Sequence, residues 1–456
     1  MFADGCTLEA AEAVWWGDGL EAGLVLDGLG GLVDKSLVQL DEREDSAPRY
    51  RLLESVRAFA QELGEAAGEF DAVRERHLRW YLALAEEAEL RLTGPEQGTW
   101  LARLDREHDN LRAALAWAHR RQDRSMAMRL AAALWRYWEV RGYFGEGWHW
   151  LRQVVGPDMA DGDVPAELLA RALAGGGRMA HRTGDYTAAA AWHAGSEARW
   201  RAAGDQAGLA TALHNQAIVA QDQGHYTRAV TLYRQSLRLK RTGEDRLGIA
   251  ASLHNLGLIA RDRGEYADAT SLIEESLAIE RALGNAGGVA NSLYELGNLA
   301  HHQGDYARAQ VLLEESVAHE HDLGSKLNAA AALHVLGDVA RDRGDAAGAL
   351  DLYARSLALL RTLGDRFHLA ACVESLAALM LIQGHPAAGA RLLGAAAALR
   401  DALGTPVPPN GRPAHERVVQ AIQAALGQER CAAEQEAGKG QQIEQLLADI
   451  LPSGRR

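Results

Sequence analysis

The sequence is poor in several kinds of residue, and each shortage excludes a class of structure. It contains three cysteines, Cys6, Cys372 and Cys431, which are too far apart for the spacing of a metal site. No apolar run approaches the length of a membrane span, and residues 1–5 lack the basic start and apolar middle of a signal peptide. We therefore expect a reduced, cytoplasmic protein that does not enter a membrane.

Positive charge and aromatic residues are also scarce. The 48 Lys and Arg residues face 62 Asp and Glu residues, which gives a formal net charge of -14 and a pI near 5.7. No local cluster of Lys and Arg offsets this charge, so we do not expect the chain to bind nucleic acid. Aromatic residues make up 6% of the chain, while Ala and Leu dominate. This composition favours helices.

What the sequence does contain is a repeat with a constant step of forty residues. One glycine column keeps this step, and it comprises Gly184, Gly224, Gly264, Gly304, Gly344 and Gly384. A serine column comprises Ser196, Ser236, Ser276, Ser316 and Ser356, and a tyrosine column comprises Tyr186, Tyr226, Tyr266 and Tyr306. A fixed period of this size is typical of a repeat architecture.

Each repeat reads as two helices separated by turns. Residues 253–260 carry apolar residues at helical spacing, and Gly264 and Gly284 are placed to end the two helices of that repeat. The predicted caps of the following helices form a column of Asp205, Asp245, Asn285, Ser325 and Asp365. Gly257 and Gly297 are expected where paired helices cross, because a small residue lets two backbones approach closely.

The pattern of Leu, Gly, Gly-x-Tyr-x-x-Ala and a late Ser-Leu resembles the tetratricopeptide repeat. The common unit of that family has about 34 residues, so its second helix would be lengthened here. The resemblance implies an all-α fold, an α-α superhelix or tetratricopeptide solenoid.

The N-terminal residues follow a different pattern. Residues 7–14 predict a helix capped by Thr7, and residues 20–34 predict a second helix. Residues 36–40 and 49–52 alternate as strands do, with a charged loop between them. Two helices followed by a hairpin predict a small, partial winged helix.

Four segments resemble proteins of one regulator family, and they are Leu32–Val38, Arg49–Arg57, Leu104–Leu115 and Ala390–Ala396. They are similar to bacterial STAND-class transcriptional regulators, the predicted ATPases of the LuxR-type and antibiotic-regulator-like groups. The resemblance implies a winged helix joined to a tetratricopeptide sensor, with an upstream nucleotide-binding domain as partner in a full-length regulator. On this reading, the chain begins inside the winged helix and ends before any output domain.

We predict four segments along the chain. They are a partial winged-helix domain at 1–70, a helical linker with divergent repeats at 71–160, a tetratricopeptide array at 161–404 and C-terminal capping helices at 405–456. Residues 70–156 hold most of the tryptophans, which are interpreted as a packed joint rather than a binding site. The capping helices are expected at residues 418–426 and 443–451, where they would cover the last repeat.

Several apparent motifs do not support catalysis or a cofactor. Residues 30–36 contain Lys-Ser, but Asp34 stands where a phosphate-binding loop needs glycine. The run Gly175–Gly177 is interpreted as a packing feature of a helix, and residues 319–322 as a solvated polar helix end. His301 and His302 would need a third ligand to hold a metal. No nucleophile has an assignable base, so the sequence predicts no enzyme and no cofactor.

The family pattern places the first helix of each repeat along a concave groove. The predicted groove residues are His214, Asn215, Ile218, Asp222, His254, Asn255, Arg261, Asp262, Tyr294, Glu295, Asn298, His334, Asp338 and Arg341. Asn side chains in such a groove can pair with an extended peptide backbone. The alternative is that these residues satisfy one another between repeats. The histidines further predict that ligand affinity changes between about pH 5 and 8.

Two functional hypotheses follow. The first is a non-enzymatic sensor module of a signal-transducing transcriptional regulator, which binds a peptide, a protein or a small-molecule inducer in the groove. The second is a free-standing adaptor that holds an extended peptide or a partner protein. An enzyme ranks a distant third.

Overall fold

The computed structural model describes residues 2–15, 22–41, 48–68, 70–94, 96–156, 164–323, 325–403, 405–407 and 411–450. The N-terminal elements are α1 (Leu8–Trp15), α2 (Ala22–Asp34), β1 (Val38–Asp41), β2 (Arg49–Leu52) and α3 (Glu54–Ala66). Parts of the expected loops, residues 42–47, 157–163 and 408–410, lie outside the described residues, as does the start expected for the second helix at residue 20.

The helices that follow are arranged largely as consecutive antiparallel pairs. They are α4 (Phe70–Arg91), α5 (Gln97–Arg120), α6 (Arg124–Arg141), α7 (Phe144–Val155), α8 (Ala166–Arg182), α9 (Tyr186–Ala203), α10 (Gln206–Asp222), α11 (Tyr226–Thr242), α12 (Arg246–Asp262), α13 (Tyr266–Leu283), α14 (Ala286–His302), α15 (Tyr306–Leu323), α16 (Lys326–Asp342), α17 (Ala346–Leu363), α18 (Arg366–Ile382) and α19 (Pro386–Leu403). Three further helices close the chain, α20 (Arg412–Leu426), α21 (Gln428–Lys439) and α22 (Ile443–Ile450).

The chain forms two compact units, residues 1–239 and residues 240–456. The first unit begins with the predicted helices and hairpin. Thr7 caps α1, because its hydroxyl accepts a hydrogen bond from the amide of Ala10 at 3.2 Å. β1 and β2 pair in antiparallel register, with Val38 opposite Leu52.

A buried ion pair joins this hairpin to the helices of the same unit. Arg49 of β2 and Glu107 of α5 are each 6% exposed, and the Arg49 guanidinium donates to both carboxylate oxygens of Glu107. Tyr81 also donates to Glu107 at 2.8 Å, and the Asn110 amide donates to the carbonyl of Gly5 at 3.0 Å. Within segment 104–115, Glu107 and Asn110 therefore fix the hairpin and the N-terminal residues to α5.

The tryptophans of the first unit take part in its core. Trp100, Trp117 and Trp138 are buried, and Trp135 and Trp148 pack against the same cluster. This is the packed joint that the sequence predicted.

One hydrogen bond explains the serine column. In each pair, the buried serine of the second helix donates to a carbonyl of the first helix, at distances between 2.7 and 3.0 Å. The five bonds are Ser196 to Ala170, Ser236 to Ala210, Ser276 to Ala250, Ser316 to Ala290 and Ser356 to Ala330. Their repetition shows that the pairs share one packing geometry.

Four of the five predicted helix caps are confirmed. Asp205, Asp245, Asn285 and Asp365 each accept a hydrogen bond from the amide three residues later. Ser325 was expected to do the same, but its side chain makes no cap hydrogen bond. The prediction was wrong there, and the backbone alone starts α16: the Ala329 amide donates to the Ser325 carbonyl.

The C-terminal part of the second unit contains a helix that the sequence did not predict. α21 packs against α19, where a Cβ atom at Gly394 would come within 1.9 Å of the Gln435 carbonyl oxygen. Only Cys431 and Gly438 of α21 are buried, so its sequence has no apolar stripe to reveal it. α20 and α22 lie at the predicted capping positions, and α20 begins earlier than expected, at Arg412.

Candidate functional site

The predicted groove residues lie on the first helices of successive pairs. In the second unit these helices are α12, α14, α16 and α18, and each contacts the next. The residues of α12, α14 and α16 predicted as groove residues are all half-buried. We call the surface that they form the first-helix face of the second unit.

The charged side chains of this face bind one another. The Arg261 guanidinium donates to Asp262 at 2.9 Å and also to Glu295 on the next first helix. Arg341 donates to Asp338 at 2.7 Å and to Asp342 at 2.8 Å. Arg261 and Arg341 are therefore neutralised within the protein.

Asp338 lies at the centre of a second group of contacts. The Tyr353 hydroxyl donates to Asp338 at 2.7 Å. Burial alone would raise the pKa of Asp338, but a proton on His334, the charge of Arg341 and the bond from Tyr353 outweigh burial and lower it. His334 in turn bonds Ser375 of α18 at 2.9 Å.

The histidines of the face are neutral near pH 7. Burial, together with the charge of Arg261, lowers the pKa of His254 to about 4. Burial also lowers the pKa of His334. With a pKa of about 4, His254 does not gain charge between pH 5 and 8, because burial removes the solvation of its charged form. The change of ligand affinity expected from the histidines in that range stays a prediction.

The amide of Asn255 differs from the charged side chains of this face in its hydrogen bonding. Among the residues that the structure describes, we find no hydrogen-bond partner for the Asn255 side chain, which is half-buried on α12. Asn298 on α14 is half-buried on the same face. The Asn255 amide is thus a donor and an acceptor available to a ligand.

In the first unit, the predicted residues lie on α10. Asn215 is 8% exposed, His214 and Ile218 are half-buried, and Asp222 is exposed. Asp222 bonds the ring of His181 on α8 at 2.6 Å. The His214 ring packs edge-on against Tyr233 with centroids 5.2 Å apart. The unit presents the same residue types as the first-helix face of the second unit.

Two sets of buried residues were missed by sequence reasoning. His193, Tyr233, Ile273, Leu313 and Tyr353 form a column at the forty-residue step, and each is at most 1% exposed. Four buried ionisable residues also share a column, and they are Lys240, Glu280, Glu320 and Arg400. Polar residues recurring at one repeat position were the available signal. Glu320 also corrects the solvated helix end predicted for residues 319–322, because it is 2% exposed.

The remaining motifs take ordinary structural roles. Gly175–Gly177 lie within α8, where a Cβ atom at Gly176 would come within 2.0 Å of the Trp192 ring. His301 bonds Asp342 at 2.8 Å, and His302 stacks on Tyr266. Within the described ranges, no group of three or more His, Cys, Asp or Glu side chains could hold a metal ion. No described helix is both long and apolar enough to cross a membrane.

Family comparisons match most of these elements. Residues 168–242 and 248–319 match a tetratricopeptide repeat family, residues 329–368 match a second tetratricopeptide family, and residues 1–65 match a winged helix-turn-helix domain. The predicted tetratricopeptide repeats, the all-α fold class and the N-terminal winged helix are thereby confirmed.

Individual relatives cover parts of the chain. A putative HTH-type transcriptional regulator of Mycobacterium bovis is 40% identical over 154 residues, which are 34% of this chain. The match spans only 17% of that regulator. The apo form of the quorum sensor NprR from B. thuringiensis has a similar fold, with a TM-score of 0.53 and 13% identity over 79% of this chain and 93% of that chain.

A STAND protein with a tetratricopeptide repeat sensor from Pyrococcus horikoshii is also similar. Its TM-score is 0.49 at 14% identity, and the match covers 84% of this chain and 58% of that chain. At these identities, the likeness to solved structures concerns the fold alone.

Proposed function

We propose that the chain is a non-enzymatic sensor module of a signal-transducing transcriptional regulator, which binds an extended peptide segment on its first helices. The sequence similarity to an HTH-type transcriptional regulator and the winged helix at residues 1–65 support the regulator part of this proposal. They also favour it over a free-standing adaptor, since an adaptor needs no winged helix. An upstream nucleotide-binding domain as partner belongs to the same proposal.

The choice of a peptide as the ligand, and not a charged small molecule, rests on one observation. On the first-helix face of the second unit, Arg261 and Arg341 are neutralised by acidic neighbours, whereas the half-buried Asn255 amide has no partner in the described part of the chain. A charged small molecule would have to break those ion pairs. A peptide backbone needs only an amide that can donate and accept, which Asn255 offers.

A binding experiment tests this proposal. Peptides selected from a random display library on the full chain are expected to lose about tenfold in affinity when Asn255 is changed to alanine, because one ligand hydrogen bond is removed. The measurement is fluorescence anisotropy of a labelled peptide. Asn291→Ala is the matched control, since Asn291 is an exposed asparagine of α14 outside the predicted groove columns.

The outcome separates the alternatives. If Asn255→Ala and Asn291→Ala bind the selected peptides as tightly as the wild type, then the first-helix face is not the peptide site. Selection of no peptide at all would also contradict the proposal.

A further inference from the structure

A cavity of about 530 Å³ lies between one first helix and two second helices of the array, and none of the residues proposed for peptide binding lines it. It is bounded by α15, α16 and α17 of the second unit. Its apolar wall includes Val317, Ala329, Leu333 and Leu359. This volume is within the range of cavities that hold small molecules, which are mostly apolar with a few fixed polar groups.

One polar group of this cavity is incompletely satisfied. Glu320 of α15 lines the cavity and is 2% exposed. Its Oε1 accepts a hydrogen bond from the Asn328 amide at 3.1 Å, but its Oε2 is buried and has no hydrogen-bond partner among the residues that the structure describes. A buried carboxylate oxygen without a donor is costly, so a ligand that brings an N–H donor there would gain that energy on binding.

Glu280 shows that a carboxylate oxygen which is both buried and unpartnered is not a general feature of this repeat position. Glu280 stands forty residues earlier and is similarly buried, at 5% exposure. Its Oε2 accepts a hydrogen bond from Asn285 at 2.6 Å, and within the described part of the chain neither of its oxygens is both fully buried and unpartnered. The repeat thus supplies an internal comparison for Glu320.

The cavity also carries positive charge. Lys326 of α16 and Arg355 of α17 line it together with Glu320, and both are exposed to solvent. Arg355 lies 3.9 Å from Asp351, which is at the limit of an ion pair. A ligand carboxylate can therefore pair with these cations while a ligand amine pairs with Glu320.

We propose that this cavity binds a small zwitterion with an apolar body, the chemistry of a large apolar amino acid. The amine donates to Oε2 of Glu320, the carboxylate faces Lys326 and Arg355, and the apolar side chain packs against Leu333 and its neighbours. This site would give the array a second ligand that is recognised independently of the peptide.

Three matched compounds test each element on the full chain by isothermal titration calorimetry. L-phenylalanine has both charged groups, phenethylamine lacks the carboxylate and 3-phenylpropionate lacks the amine. We expect L-phenylalanine to bind most tightly and 3-phenylpropionate most weakly. Glu320→Gln should weaken L-phenylalanine by about tenfold or more, because the new amide places a donor where the ligand needs an acceptor.

Two further variants complete the design. Arg355→Gln should reduce the affinity for L-phenylalanine and leave that for phenethylamine unchanged. Ala358→Trp should abolish binding by filling the cavity from its exposed side, without touching the buried carboxylate. Glu280→Gln is the control for a buried carboxylate of the same column and should bind like the wild type.

Clear outcomes would overturn the inference. If the three compounds bound with equal affinity, Glu320 would not bind the ligand amine. The same would follow if the wild type and Glu320→Gln bound L-phenylalanine equally well. Unchanged binding in Ala358→Trp would place the ligand elsewhere. Asn255→Ala should leave all three affinities unchanged, which separates this site from the proposed peptide site.

Discussion

Individual residues that recur every forty positions do the same structural work in each repeat. The serine column is one case, since all five hydrogen bonds join second helix to first helix at nearly one distance. The glycine turns are another, because Gly184, Gly264 and Gly344 have φ between +77° and +84°. A departure from such a column is therefore expected to cost stability.

Glu244 is a departure of this kind. It occupies the position of Gly204, Gly284 and Gly364 and has φ +55°, which residues other than glycine rarely adopt. We predict that Glu244→Gly stabilises the protein by about 0.5–1 kcal/mol, the strain relieved less the greater freedom of glycine in the unfolded chain. Urea denaturation measures this change.

Glu265→Gly is the control for that variant. Glu265 has φ -81°, so the same substitution relieves no strain and should be neutral or destabilising. A stabilising effect of similar size at Glu265 would show that removal of a negative charge, and not the backbone angle, is the cause.

At the scale of elements, the helices of a pair meet where glycine faces a large side chain. A Cβ atom at Gly297 of α14 would lie 2.6 Å from Cγ of Leu313, which is fully buried on α15. Gly257 faces Ile273 and Gly337 faces Tyr353 in the same way. The close approach that the sequence predicted for Gly257 and Gly297 is confirmed.

Replacing glycine by alanine should therefore have opposite effects on stability at two positions of α14. Gly297→Ala should destabilise the protein by about 1–3 kcal/mol, because Leu313 must move in a packed core. Gly287→Ala, in the first turn of α14, should stabilise it by up to about 1 kcal/mol, since a Cβ atom there meets only Asn285 Oδ1 at 3.9 Å. Thermal unfolding of the two variants checks both signs. If both substitutions stabilised the protein, α14 and α15 would pack less closely at Gly297 than the structure describes.

For the molecule as a whole, buried neutral histidines make stability depend on pH. Burial lowers the pKa of His77 and His193 to about 3 and, together with the charge of Arg261, that of His254 to about 4. Below the unfolded value near 6.5, the unfolded chain binds protons that the folded chain does not. The contribution of these three histidines to the free energy of unfolding is therefore expected to be constant above pH 6.5. It should fall as the pH decreases from 6.5 towards 4.

His193→Leu tests this expectation, because Leu313 occupies the equivalent position in another repeat. The urea midpoint of this variant should fall less steeply between pH 6.5 and 4.5 than that of the wild type. His225→Leu replaces an exposed histidine and should leave the slope unchanged. Equal slopes in all three proteins would mean that other groups set the acid sensitivity.

Much of the architecture follows from the sequence alone. The forty-residue period, the turn glycines and most helix caps are local signals, since each depends on backbone angles or on hydrogen bonds within a few residues. The winged-helix hairpin follows in the same way from the alternation of residues 36–40 and 49–52. α21 is the exception, because it is held by backbone contact with α19 and not by an apolar stripe.

Only the tertiary structure decided which polar groups are satisfied. The sequence placed Arg261, Arg341 and Asn255 on one face, but not the pairing that neutralises the two arginines and leaves the amide available. Nor did it distinguish Glu320 from Glu280, which occupy the same repeat position. The physical reason is that burial and pairing are set by how neighbouring helices pack, as where Arg261 meets Glu295 thirty-four residues away, and a local pattern does not show which side chain is buried or which partner is in reach.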